Sequence, residues 1–228
     1  MSYHNRGAFV SVKIRSLFSH LSTQTYNEVA PTIGFWTELA LTQQFVTVEE
    51  LVEQVSDPIW DGQRAPASFA RFLKEFRDSP HRSAQAKSFV DEVCTRIFRW
   101  FVAAPAEELQ INSNSGMVAR CGANGFIGAA SLIGHFIECG LLDHEVVRLY
   151  LIKPLTHHYP RPVESVGVVR ANAIFRLFAV AGNTLLQGLL EPEDVRTCFE
   201  ILETRFSRPS GIVGLSATKL EVQCASSS

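Results

Sequence analysis

NGFIGAASLIGHFIECGLLDHEVVRLYL, residues 124–151, holds the signals that decide the fold. Phe126, Ile127, Ala130, Ile133 and Ile137 fall close to the i, i+4, i+7, i+11 spacing that lays one apolar stripe along a helix. Gly128 and Gly134 sit inside that helix, where each costs about 1 kcal/mol relative to alanine. Their presence points to a neighbour that comes close to the helix backbone. Gly140 ends the helix as a C′ residue. Asp143 follows as an N-cap, with Glu145 in the first turn of the next helix, where the helix dipole favours an acid. Two helices joined by a short turn and packed through small residues form an antiparallel pair, the unit of an α-solenoid.

Helical signals continue on both sides. Val10, Ile14, Leu17, Phe18 and Leu21 form a stripe that predicts a first helix. A second helix begins after Thr23, and Pro31 predicts either a kink or a split before Leu41. Thr47 and Glu50 have capping-box spacing and open a helix through Val55. Pro66 suits a first helical turn, followed by Phe69, Phe72, Leu73 and Phe76 at i, i+3, i+4, i+7, until Ser79-Pro80 breaks the pattern. A long helix is expected over 83–102, a polar loop over 104–116, and a stiff linker at His157 to Pro162. Ala171, Ile174, Phe175, Phe178, Ala181 and Leu185 define a helix over 168–187. Val195, Phe199, Leu202 and Phe206 define the last one. No convincing strand alternation occurs. The expectation is an all-α, HEAT-repeat-like α-solenoid of about nine or ten helices in antiparallel pairs, occupying 10–206, with 207–228 as a frayed tail.

The composition excludes several functions. With 228 residues, 46% of them hydrophobic, the chain can bury a sizeable core and is not disordered by composition. No apolar run approaches the roughly 20 residues of a membrane span, so no membrane partner is expected. The net charge of −2 gives no reason for strong non-specific nucleic-acid binding. Its distribution is uneven. Six acids and no Lys or Arg lie between Glu38 and Asp61, whereas eight Lys or Arg and four acids lie between Arg64 and Arg99. Five cysteines without a CxxC pair indicate free thiols in a reducing compartment. Before Glu28 the only charges are Arg6, Lys13 and Arg15. That pattern fits a first domain helix and, less well, a mitochondrial presequence.

Few residues suggest chemistry. Cys121, His135, Cys139 and His144 invite a zinc reading, but C-x13-H-x3-C-x4-H matches no common site, and partly buried helix residues are the plainer account. Cys139 with His135 lacks an orienting third group or oxyanion hole. Glu49, Glu50 and Glu53 suit the first turns of a helix better than a catalytic carboxylate cluster. Nucleotide, hydrolase and metalloprotease motifs do not occur. No catalytic residue, metal or cofactor is expected. The candidate binding residues are Lys153, His157, His158 and Arg161 around Tyr159, which could grip RNA phosphate or stack a base. Arg71 and Lys74, beside Arg77, form a second basic set on a helix.

Asn124-Gly125-Phe126-Ile127-Gly128, with Leu132, Gly140-Leu141-Leu142, His144 and Val146-Val147-Arg148-Leu149, resembles the middle domain of eukaryotic translation initiation factor 4 gamma. Ala173 to Gly182 (AIFRLFAVAG) is similar to a later helix of that family, and Ile14 to Ser22 (IRSLFSHLS) to its opening segment. The family's acid and leucine after F-I-G are Ala129 and Ala130 here. Where its closing helix should follow Phe206, Ser210 to Glu221 is short and glycine-broken. The resemblance implies a crescent of HEAT repeats with no catalytic site. It further implies a scaffold that binds a DEAD-box RNA helicase, another translation or mRNA-processing protein, or RNA, in the cytoplasm or nucleus. A HEAT scaffold joining proteins without RNA remains the alternative, with a thiol- or zinc-dependent enzyme as the more distant one.

Overall fold

A computed structural model describes residues 3–56, 65–103, 116–147, 168–189 and 191–206. They form eight helices longer than one turn and no strand: α1 (Tyr3–Ser19), α2 (Tyr26–Thr42), α3 (Val48–Ser56), α4 (Pro66–Asp78), α5 (Ala84–Ala103), α6 (Gly116–Glu138), α7 (Val168–Thr184) and α8 (Pro192–Phe206). A helical turn at His144–Val146 follows α6, and Leu185–Leu189 prolongs α7 as a π-helical segment. The all-α reading therefore stands. The expected tail at 207–228 and most of the helix beyond Val147 lie outside the described residues.

Packing largely follows chain order. α1 lies on α2 and α3, α2 also meets α4 and α5, and α3 packs on α5. α4 and α5 both meet α6, α6 pairs most extensively with α7, and α7 carries α8. A continuous aromatic core begins with Phe18, whose ring sits 5.5 Å from Phe69 and 5.3 Å from Phe72. Farther along, Phe101 stacks on Phe126 at 4.3 Å, joining α5 to α6. Offset and edge-on ring contacts of this kind add specific geometry to their large buried area.

Local chemistry explains the helix ends. Glu50 accepts from the Thr47 backbone N–H at 2.8 Å, and the Thr47 hydroxyl accepts from the Glu50 N–H at 3.1 Å, which is the expected capping box. Pro66 occupies the first position of α4. Ser83 precedes α5, and its hydroxyl accepts from the Ala86 N–H at 3.2 Å. α6 ends in a Schellman motif. The Leu141 N–H reaches the Phe136 carbonyl at 2.8 Å, the Gly140 N–H reaches Ile137 at 2.9 Å, and Gly140 has φ +63°. α2 ends by the same bonds, Phe45 to Ala40 and Gln44 to Leu41, but the left-handed residue is Gln44, at φ 53°. Asp143 caps the next turn, accepting from Glu145 N–H at 2.8 Å.

Four expectations need correction. α1 begins at Tyr3, seven residues before Val10, although its buried stripe is as read. Pro31 does not split α2, which runs through it as one helix with Pro31 exposed near the beginning. In α8 the deepest residues are Asp194, Cys198, Ile201 and Leu202, so the buried face is rotated from the Val195–Phe199 line. Finally, the buried stripe of α6 is broader than read and displaced to one side. Ala129, Leu132 and Phe136 are buried along with Phe126, Ala130, Ile133 and Ile137, whereas Ile127 is only half-buried. α4 and α5 as well as α7 lie against α6, and contact with several helices calls for a wide apolar arc. Ala129 is 1% exposed, and an acid in its place would need a buried partner.

At Gly134 the close neighbour called for is α7. A Cβ added at Gly134 would stand 2.9 Å from Val180 Cβ and 3.5 Å from the Leu177 carbonyl oxygen. Gly134→Val is expected to lose about 1–3 kcal/mol through overpacking. Gly140→Ala should lose about 1 kcal/mol by placing a Cβ at positive φ, and Gln44→Gly should gain a comparable amount at the equivalent position of α2. Urea denaturation of the three variants checks the set. A stable Gly134→Val would show that α6 and α7 do not approach this closely.

Candidate functional site

Arg71 and Lys74, the described members of the expected basic sets, lie on the outer side of α4, opposite buried Phe69, Phe72, Leu73 and Phe76. The helix period sets this arrangement. Their charges are already engaged. Arg71 Nε donates to Glu75 Oε1 at 2.8 Å, and its guanidinium lies 4.1 Å from the Tyr26 ring centroid. The Tyr26 hydroxyl donates to the other Glu75 oxygen at 2.7 Å, tying α2 to α4. Lys74 pairs with Asp78 one turn on. Arg77 meets Asp78 at 3.4 Å and donates to the Gly140 carbonyl at 3.0 Å, at the C-terminal end of α6. A cation there interacts favourably with the last carbonyls of the helix.

The Glu75 carboxyl responds to opposing influences. Burial pushes its pKa up, but hydrogen bonds from Tyr26 and Arg71 outweigh that and hold it below the ordinary carboxylate value. The Tyr26 phenol moves upward, first through burial and then through its bond to Glu75. The Asp78 carboxyl is lowered by its bond to Lys74, against some burial. α4 thus presents a neutralised lattice of acids and bases rather than a bare cationic stripe. A phosphate ligand at Arg71 or Lys74 has to compete with Glu75 and Asp78.

Arg82, in the turn between α4 and α5, is held by its surroundings as well. Its guanidinium lies 4.5 Å from the Phe76 ring centroid, donates to the Gly34 carbonyl at 3.3 Å and stands 4.0 Å from Glu38. The other Glu38 oxygen accepts from the Ser83 N–H at 3.1 Å. A Cβ at Gly34 would be 2.9 Å from Arg82 Nη2, so the missing side chain makes room for the guanidinium. This cluster clamps α2 to the α4–α5 turn.

His135 and Cys139 occupy successive turns at the end of α6, both half-buried. Burial pulls the His135 imidazole below its usual pKa, with Glu138 opposing. Burial raises the Cys139 thiol, Glu138 adds to this, and Lys74 and Arg77 counter it. Neutral imidazole beside protonated thiol is the reverse of an activated nucleophile pair. Among the described residues no three His, Cys, Asp or Glu side chains group as a metal site. The side chains of Cys121 and His144 lie outside the described set, as do Lys153, His157, His158 and Arg161. The basic loop is therefore not brought together with α4 by anything described.

Sequence reading places Lys13 and Arg15 in no binding set. Both are exposed on α1 and form no ion pair among the described residues, as is also true of Lys87 and Arg99 on α5 and Arg176 on α7. The signal was present in the acid-free stretch before Glu28. Among the described residues, no helix is long and apolar enough to cross a membrane. Comparison with protein-family models, curated proteins and solved structures gave no match to the chain.

Two measurements check these electrostatics. In Tyr26→Phe the Glu75 pKa, followed by side-chain carbon NMR, should rise; a value unchanged from the native chain would mean that Tyr26 does not hold the carboxylate. The sign for stability follows. A carboxyl lowered in the folded state stabilises above its unfolded pKa of roughly 4.3, and that contribution is lost as pH falls through the folded value. The Tyr26→Phe stability deficit should therefore shrink in acid. For the thiols, burial pushes Cys94 and Cys198 up to about 12. Alkylation mapped by mass spectrometry at pH 7 should label them only after denaturation, with Cys139 intermediate. Rapid native labelling of Cys94 would show its part of the α5 packing to be open.

Proposed function

We propose that this chain is a non-catalytic helical scaffold. Its arrangement would be a HEAT-like α-solenoid of the initiation-factor-4-gamma middle-domain type, and it would bind a DEAD-box RNA helicase, RNA or both in translation initiation or mRNA metabolism. The observation that carries this reading is the ordered series of resembling segments. Ile14 to Ser22 falls on the end of α1 and the turn after it, Asn124 to Leu142 on α6 and its Schellman end, and Ala173 to Gly182 on α7. Helices that pack mainly on near neighbours in the chain, with α6 and α7 meeting through Gly134, also suit stacked helix pairs. Cytoplasmic residence follows from the same reading, with a nuclear role in mRNA processing as its variant.

A second reading is favoured by the α4 surface. Arg71 and Lys74 are engaged with Glu75 and Asp78, which suits a scaffold that joins proteins and leaves RNA to its partners. RNA binding would then rest on Lys153, His157, His158 and Arg161.

The helicase reading is tested by pull-down and by stimulation of ATP hydrolysis with a purified DEAD-box helicase, and it predicts both. Failure of both removes it. Titration with single-stranded RNA at two salt concentrations separates the readings: affinity should fall with salt and fall further when Lys153 and Arg161 are replaced by glutamate. Absence of binding at low salt leaves the protein-only scaffold.

A further inference from the structure

We propose that the outward face of α1 is a docking surface for an acidic amphipathic helix of a partner protein. α1 buries Val10, Ile14 and Phe18 against the core, yet Phe9 is 62% exposed and Val12 66% exposed on its other side. They stand at i and i+3, so they form one short ridge along the helix. Phe35 of the adjoining α2 is 59% exposed as well. These are the large exposed hydrophobic residues of the described chain, and they belong to two helices that pack on each other. Phe9 and Val12, one turn apart on the same helix, are the contiguous pair, and exposed apolar side chains grouped in this way mark interaction surfaces more often than singly scattered ones do.

Charge identifies the occupant. Lys13 and Arg15 border the ridge, are exposed, and form no ion pair among the described residues, whereas Arg71, Lys74 and Arg77 all have carboxylate partners on their own helix. No acid precedes Glu28. A face with an apolar ridge and unneutralised cations is complementary to a helix whose apolar stripe is edged by Asp or Glu. A second copy fits poorly, because a two-fold contact of α1 on α1 would set Lys13 and Arg15 close to their own counterparts. RNA fits less well than a helix, because Phe9 is the one aromatic residue of the ridge and Val12 beside it gives successive bases no second face to stack on. The inference needs only this surface and does not rest on the helicase or RNA reading.

The test uses the full chain and two labelled synthetic peptides. One is an amphipathic helix with leucines on one face and glutamates beside them; the other replaces every glutamate by lysine. Fluorescence anisotropy should show binding of the acidic peptide, weakened by salt, and little binding of the basic one. Phe9→Ser with Val12→Ser should reduce affinity about tenfold or more, as loss of central apolar anchors does. Lys13→Glu with Arg15→Glu should do the same and abolish the salt dependence. All four side chains are exposed, so circular dichroism and Tm should not move, and the charge pair tests the surface without touching its apolar residues. The proposal is overturned by failure of the acidic peptide to bind, by equal affinity for both peptides, or by variants that bind as the native chain does. Sedimentation revealing a dimer that the same substitutions dissociate would also overturn it, as would single-stranded RNA binding lost on Phe9→Ser with Val12→Ser.

Discussion

The structure depends on α6 being covered from more than one side. Its buried residues include Phe126, Ala129, Ala130, Leu132, Ile133, Phe136 and Ile137, which form one broad apolar arc. Such a helix cannot lie at the edge of the molecule without exposing a large apolar area. α4 and α5 on one hand, and α7 on the other, meet that requirement. The approach of α7 is set by the absence of a side chain at Gly134, and the stacking of Phe101 on Phe126 sets the approach of α5. α8 then attaches through α7, and the N-terminal helices attach through α4 and α5.

Polar contacts adjust this apolar frame rather than build it. Arg77 reaches from α4 to the Gly140 carbonyl, where the chain leaves α6. Tyr26 reaches from α2 to Glu75 on α4, and Thr184 at the end of α7 donates to Glu138 at the end of α6 at 2.6 Å. Each is partly exposed and individually modest. Their common effect is directional: they join helix ends or outer faces to a neighbour, which fixes rotation and register where apolar packing alone tolerates sliding. The cations drawn into this work are those nearest the buried seams. Among those left outside it are Lys13 and Arg15 on α1, away from its core-facing residues.

Sequence alone revealed what is local. The Thr47–Glu50 box, Pro66 at the start of α4, Gly140 as a left-handed stop and Asp143 as a cap each depend on residues a few positions apart, so composition and spacing suffice. The i, i+4 pairing of Arg71 with Glu75 is equally local, but the basic residues of α4 were read without their acids. What sequence could not supply depends on distant partners. The wide burial of α6 escaped a reading that sought a narrow stripe, and Ala129 carries no polar or bulky side chain to announce an interface. The inward face of α8 includes Asp194, a charged residue that periodicity alone sets outside. The engagement of Arg71 with Tyr26 spans two helices. The candidate site was legible mainly as residue types: the basic residues of α4 were found, but not that their charges are largely answered within the fold.

The Arg82 clamp carries a consequence for how this sequence can change over evolution. Gly34 is small because a guanidinium from the α4–α5 turn occupies the space beside it, and Glu38 one turn on accompanies that charge. Loss of Arg82 would relieve Gly34 of its steric constraint and leave Glu38 without its cation. Gain of a side chain at 34 would first require the arginine to withdraw. Drift at the three positions is therefore coupled: a side chain gained at 34 displaces the guanidinium, and with the guanidinium displaced Glu38 loses its nearby cation.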